Sequence, residues 1–165
     1  MHKQLSEIWR LRSIALSLIV LIGLMDQLSK HWVLGHLMPY APYPICPHFN
    51  LTLAFNTGAA FSFLSGTQVW RMWFFVGTII VVGAFLIRWL FRLKPSQSGL
   101  ACALGLILGG ALSNLIDRLT LFQVVDFLDV YYGSHHWPVF NIADSAICIG
   151  AGLLWFYSEH SYGKQ

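Results

Sequence analysis

The sequence predicts an all-α polytopic membrane protein: four transmembrane helices with a small β-sheet element on the outer membrane surface. Three observations predict it. Of the 165 residues, 56% are hydrophobic and only 10% charged, with a mean hydropathy of +0.62, whereas a soluble domain carries about 25% charged residues. The charges fall in clumps that bracket long uncharged runs. Those runs approach the roughly 20 residues that a spanning helix needs.

In chain order, Arg12 and Asp26 bracket an uncharged run, and apolar character resumes at Trp32, Val33 and Leu34, so a first span is expected over about 13–34. Its basic start resembles a secretory leader, but DQLSKHWVLGHL after the run offers no small-residue cleavage site, which predicts a retained helix. Pro39, Pro42, Pro44 and Pro47 prevent that helix from continuing. From Phe49 through Leu51 and Leu53 to Phe55, large apolar residues alternate with small or polar ones, the period of a strand with one apolar face. Asn56, Thr57 and Gly58 then turn the chain, and Ala60 to Phe63 is expected to pair back, giving an outer β element over about 45–66. Arg71 and Arg88 bracket a second span over about 70–90. Lys94 and Asp117 bracket a third over about 96–117, with Pro95 and Ser96 at its start. The next stretch, about 119–137, mixes Val124, Val125, Phe127 and Leu128 with Asp126 and Asp129 and is expected to lie in the outer interface. A fourth span over about 139–157 follows, beginning near Pro138 and passing Asp144. Ala101, Gly105, Gly109 and Ser113, and again Ala146 and Gly150, form small-residue rows that are expected packing faces. A single membrane domain accounts for residues 1–165.

Charge sets the orientation. Lys3, Arg10, Arg12, Arg88, Arg92, Lys94 and Lys164 fall at one face, against Lys30, Arg71 and Arg118 at the other, so the positive-inside rule puts both termini in the cytoplasm. Trp32, Trp70, Trp73 and Trp137 mark the outer interface, and Trp9, Trp89 and Trp155 the inner one. The net charge of +3 comes without a basic patch interleaved with exposed aromatics, which argues against nucleic acid as a partner. Cys46, Cys102 and Cys148 form no C-x-x-C, so neither a disulfide framework nor a zinc site is legible. Neither a metal nor a cofactor is expected.

Asp26, Asp117, Asp126, Asp129 and Asp144 all fall at or beyond the outer ends of the spans. An ionisable group at membrane depth costs roughly 2.5–3.5 kcal/mol on insertion scales, so each is a functional hypothesis by default. Asp144 follows Asn141 by three residues, on one helical face. Asp126 stands between apolar neighbours at the same depth, and the two carboxylates could meet across the outer mouth of the bundle. Such a pair cannot easily ionise twice; it holds one proton near neutral pH, one member acting as general base on water while the other polarises a carbonyl. Competing chemistries lack their residues, with no H-E-x-x-H, no G-x-S-x-G, and Ser29 and Lys30 adjacent and pointing apart.

Blander roles compete for the other outer residues. Asp129 is expected to face water as the chain leaves the membrane at Tyr131, Tyr132 and Gly133. Asp117 and Arg118 are expected either to cap and pair at a helix end or to serve a site. Asp26 and Lys30, four apart with the acid first, suit a helix-stabilising pair, with substrate positioning as the alternative. Asn114, one turn before Arg118, suits interhelical hydrogen bonding. Carboxylates and a lysine at this depth would also suit a small proton-coupled transporter or channel. A transport path needs polar groups throughout, however, and the inner halves of spans two to four carry only Cys102 and Ser96.

Five stretches then carry a resemblance. Asp26-Gln-Leu-Ser-Lys30, Phe55-Asn-Thr-Gly-Ala-Ala-Phe-Ser-Phe63, Gly110-Ala-Leu-Ser-Asn-Leu-Ile-Asp-Arg118, Val125-Asp-Phe127 and Phe140-Asn-Ile-Ala-Asp-Ser145 resemble, in order, the motifs of the bacterial lipoprotein signal peptidase family, signal peptidase II. The chain length and four-span plan agree with it. The resemblance implies an intramembrane aspartic endopeptidase of the bacterial inner membrane, its site near the outer, periplasmic face. Its substrates would be lipid-modified prolipoproteins, cut before a Cys that already carries diacylglyceryl. Carried over residue by residue, Asp126 and Asp144 are the implied catalytic pair, and Asn56, Gly58, Asn114, Arg118 and Asn141 line the site. Asp26 and Lys30 match the first motif and are carried as substrate-binding residues. Membrane lipids are the other expected partner, and the chain is expected to act as a monomer. A substrate that is part signal helix and part lipid arrives laterally, and a surface sheet bearing Phe49, Leu51, Leu53, Phe55, Phe61 and Phe63 is expected to rest on the membrane and hold its exported part.

Overall fold

The computed structural model describes residues 2–58 and 68–162. The expected return of Ala60 to Phe63 onto the strand therefore lies outside the described residues, as do Phe61 and Phe63. Along the chain run α1 (His2–His36), β1 (Pro42–Cys46), β2 (Phe49–Asn56), α2 (Gln68–Phe91), α3 (Ser98–Leu121), β3 (Val124–Tyr132), β4 (His135–His136) and α4 (Ile142–Tyr162).

Helix α1 starts well before its expected span because Arg10 and Arg12 do not stop it. Leu11 between them is buried, and the Arg12 guanidinium lies over the rings of Trp9 and Phe91, at 5.6 and 4.7 Å, where the ring faces attract a cation. Its 35 residues rise roughly 50 Å at 1.5 Å each, more than the hydrocarbon core of about 30 Å. The helix ends at His36, whose ring stacks on Trp32 at 4.8 Å, shortly before Pro39. Gln4–His36, Val69–Phe91 and Ser98–Leu121 are long and apolar enough to cross a membrane, whereas the apolar part of α4, Ile142–Ser158, is shorter. Length and composition thus support three of the four expected spans.

Helix α3 is the axis of the bundle. It packs on α1, α2 and α4, and 56% of its apolar stretch is buried against 11% for α1 and α2. The small-residue rows are what permit this. A Cβ on Gly105 would come within 3.0 Å of the Ala15 backbone, and one on Gly150 within 2.8 Å of the Ala103 carbonyl, so α1 and α4 both approach α3 at backbone distance.

The sheet is antiparallel in the order β1-β2-β3-β4. Strand β1, which sequence reasoning did not anticipate, contains Pro42 and Pro44; as an edge strand it tolerates residues that cannot donate to a ladder. In β2 a register irregularity between Leu51 and Ala54 breaks the expected single apolar face. Leu53 turns inward and is buried, while Phe49, Leu51 and Phe55 remain half-buried. Residues 119–137 carry more regular structure than expected: α3 extends to Leu121 and the chain then enters β3, buried from Val124 to Phe127 and emerging at Val130 and Tyr132, with Asp126 opposite Ala54 and Asp129 opposite Asn50. Along Val124–Phe127 both faces are buried, so that half of the strand shows no two-residue alternation and its periodicity is silent.

Candidate active site

Three elements converge at one end of the bundle. Strand β3 carries Asp126, and Phe140 is clamped beside it: Phe127 and Leu128 donate their backbone N–H to the Phe140 carbonyl at 2.9 and 2.8 Å, and Phe140 donates to Leu128 at 3.1 Å. That bridge fixes the start of α4. Asn141 caps it, its Oδ1 accepting the Asp144 N–H at 2.8 Å while the Asp144 carboxylate reaches back to the Asn141 N–H at 3.3 Å. This reciprocal pair is a capping box built from Asn and Asp.

The Asn141 side chain is fully buried and joins the two aspartates. Its Nδ2 donates to Asp126 Oδ1 at 2.7 Å and also lies 3.2 Å from the Val125 carbonyl and from Asn114 Oδ1. Asn114 in turn donates to Asp144 Oδ1 at 2.8 Å. Asn56, at the end of β2, donates to Asp126 Oδ2 at 3.0 Å and accepts the Gly58 N–H at 2.8 Å. Gly58 has φ +79°, and a Cβ there would strike the Phe75 ring, so both conformation and space require glycine. Phe75 is also met by Arg118, whose guanidinium lies 4.5 Å from its ring centroid and whose buried Nε has no hydrogen-bond partner among the described residues. Phe75 of α2 carried no sequence signal beyond its place in an apolar run.

Electrostatics separate the two aspartates of β3. Burial first, and then the neighbouring Asp144, push the Asp126 carboxyl up from 3.8 to about 7, against the pull of Asn56, Asn141 and Lys30. Asp129 behaves oppositely, and the expectation that it faces water is corrected. It is 2% exposed and accepts from Thr52 at 2.8 Å, Asn50 at 3.2 Å and His136 at 2.7 Å. Burial alone would raise its carboxyl, but those hydrogen bonds outweigh it and hold it below 3.8. A lowered carboxyl adds stability above its unfolded value and loses it as pH falls through the folded one. Asp129→Asn should therefore destabilise the fold by about 1.5–3 kcal/mol at pH 7, the deficit closing below about pH 4. Melting temperatures across pH check this, and an unchanged value at pH 7 would return Asp129 to the solvent. At equal folded protein, Arg118→Ala should damage cleavage more.

Asp26 and Lys30 do pair, at 2.6 Å, but with 0% and 2% exposure neither has surface to offer a substrate. Their partners are Asp117, Ser113 and Asn114. Asp117, left between two roles by the sequence, pairs with Lys30 at 2.8 Å rather than with Arg118. Gln27, one residue beyond Asp26, joins the same network by donating to Asp117 at 2.8 Å and Ser113 at 3.0 Å. Among the described residues no cluster of three or more His, Cys, Asp or Glu has the arrangement of a metal site.

The fold and site define a membrane-embedded helical bundle with a carboxylate pair bridged by two asparagines at its rim. A family model described as signal peptidase (SPase) II matches residues 18–159, and the chain belongs to that family. It is 48% identical to the lipoprotein signal peptidase of Yersinia enterocolitica over 139 residues, covering 84% of this chain and 82% of that protein. The lipoprotein signal peptidase of Polynucleobacter necessarius is 46% identical over 156 residues, 94% of each chain. Two solved structures of a bacterial membrane enzyme share the fold. One is 31% identical with a TM-score of 0.77, covering 86% of this chain and 90% of that one. The other is 29% identical with a TM-score of 0.78, covering 92% and 91%.

Proposed function

We propose that the chain is an intramembrane aspartic endopeptidase that removes signal peptides from diacylglyceryl-modified prolipoproteins, cutting before the lipidated Cys. The observation that carries this reading is the bridge of Asn114 and Asn141 between Asp126 and Asp144. With the Asp126 carboxyl raised to about 7, the pair keeps one proton near neutral pH. The ionised member takes a proton from water as its oxygen attacks the scissile carbonyl carbon. The protonated member donates to the carbonyl oxygen, and the departing amine receives the proton first taken from water. Asn56, Gly58 and Arg118 line the approach, Arg118 with donors for a substrate carbonyl.

Helix α4 completes a four-span, single-domain monomer, both termini in the cytoplasm and the carboxylates at the outer face of the inner membrane. An apolar cavity of about 460 Å³ between α1, α2 and α3, lined by Ile19, Ile80, Ile87, Leu108 and Leu112 among others, supports lipids as partners. Acyl burial contributes roughly 0.8 kcal/mol per CH₂, and it raises turnover only where it also aligns the scissile bond.

The test is cleavage in detergent of one prolipoprotein with and without its diacylglyceryl group, at saturating concentration. The shortened product is expected from the modified form and little from the other. Equal maximal rates would confine the lipid to affinity, and no product from either would remove the proposed activity.

A further inference from the structure

Lys30 is a cation with nowhere to be solvated, since only 2% of it is exposed. A buried ammonium has three donors to place, and all three are placed on different side chains. Its Nζ lies 2.6 Å from Asp26 Oδ2 and 2.8 Å from Asp117 Oδ2, and donates to Asn114 Oδ1 at 3.0 Å. Besides their bonds to Ser113 and Gln27, each of those partners has a contact that leads toward the aspartate pair. Asp26 Oδ1 accepts the backbone N–H of Ala143 at 2.9 Å, the residue before Asp144, in the first turn of α4 where the helix dipole favours an anion. Asp117 Oδ2 accepts the backbone N–H of Val125 at 3.1 Å, the residue before Asp126. Asn114, with its Oδ1 turned toward Lys30, presents its Nδ2 to Asp144 Oδ1 at 2.8 Å.

We propose that Lys30 is a positioning residue for the reaction: one buried ammonium holds Asp26, Asp117 and Asn114, and these hold the backbone ahead of both aspartates and the Asp144 carboxylate itself. The proposal rests on the assignment of Asp126 and Asp144 as the catalytic pair. Without the ammonium, Asp26 and Asp117 are like charges directed at one small volume and repel each other. Asn114 also loses the shorter of the two donors, Lys30 and Asn141, that fix which end of its amide faces Asp144, and a flipped amide would set oxygen against oxygen. In sequence the four-residue spacing of Asp26 and Lys30 suggests local helix support. In the fold both charges point away from α1 into α3 and α4.

The experiment compares Lys30→Met, Asn114→Ala and the double variant for melting temperature, kcat and KM on modified prolipoprotein, normalised to folded protein. Lys30→Met should lower kcat about 100-fold, as sub-ångström misplacement of reacting groups does, with KM within about threefold because substrate contacts are untouched. The double variant should fall short of the product of the single losses by about tenfold or more, since the two residues act along one line. Where Lys30→Met alone does not fold, Lys30→Met with Asp117→Asn removes one charge of each sign and should show the same kcat loss. Multiplicative losses, a change confined to KM, or a kcat loss no larger than the loss of folded protein would overturn the proposal. Asp126→Asn and Asp144→Asn measured alongside separate the two claims. Normal turnover there removes the catalytic pair, whereas an inactive pair with wild-type kcat in Lys30→Met removes only the role of Lys30.

Discussion

Asp126→Asn and Asp144→Asn are each expected to lower cleavage by about 10²–10⁴-fold, the range that general acid–base groups supply, with expression and insertion intact. The amide preserves the shape and loses only the proton transfer. Because the two act as a unit, the double variant should be scarcely worse than either single one. The Asp126 variant carries a second signature. In the wild type the unfolded carboxyl releases its proton near 3.8 but the folded one keeps it to about 7, so over that window the folded state binds the extra proton and stability falls as pH rises. Asp126→Asn should erase this slope, leaving the variant relatively more stable at pH 8 than at pH 4. Melting temperatures at the two pH values, beside a cleavage assay, check both parts. Near-normal turnover in either single variant would end the proposed mechanism.

Asn141→Ala is expected to have the next largest effect, because one side chain serves two purposes. As the cap of α4 it contributes about 0.5–2 kcal/mol, and its removal also leaves Asp126 and Asn114 short of a partner in a buried site. Cleavage should fall about 100-fold through misplacement of the aspartates. Asn141→Ser separates the purposes. Serine caps a helix as well as asparagine does but cannot reach Asp126, so stability should return while activity stays low. Full recovery of activity in the serine variant would reduce Asn141 to a cap.

The sequence made some of this legible because membrane insertion leaves so few uncharged explanations for a charge. The spans could be bracketed by Arg12, Asp26, Arg71, Arg88, Lys94 and Asp117, and the three-residue spacing of Asn141 and Asp144 placed them on one helical face. What stayed hidden depends on long-range pairing. Asp129 looked solvent-facing because nothing near it in sequence announces Thr52 and Asn50, which reach it across the β2-β3 ladder. Strand β3 hid because both faces of its first half, Val124–Phe127, are buried, and β1 because prolines argue against a strand unless it is known to lie at an edge. Asp26 and Lys30 showed their mutual spacing but not their direction, which is set by Ser113 and Asn114, more than 80 residues away.

That reach across the chain bears on when the protein becomes active during its synthesis. The turn between α2 and α3 divides the site, with Asp26, Lys30, Asn56 and Gly58 before it and Asn114, Arg118, Asp126, Asn141 and Asp144 after it. One hydrogen bond of the site spans 117 residues: Asp26 of the first helix holds Ala143 at the start of the last. A nascent chain held at any earlier stage lacks one carboxylate and the anchor of its helix. Under the proposed mechanism, proteolytic competence therefore waits for the final helix to join the bundle, with no inhibitory segment required to enforce the delay.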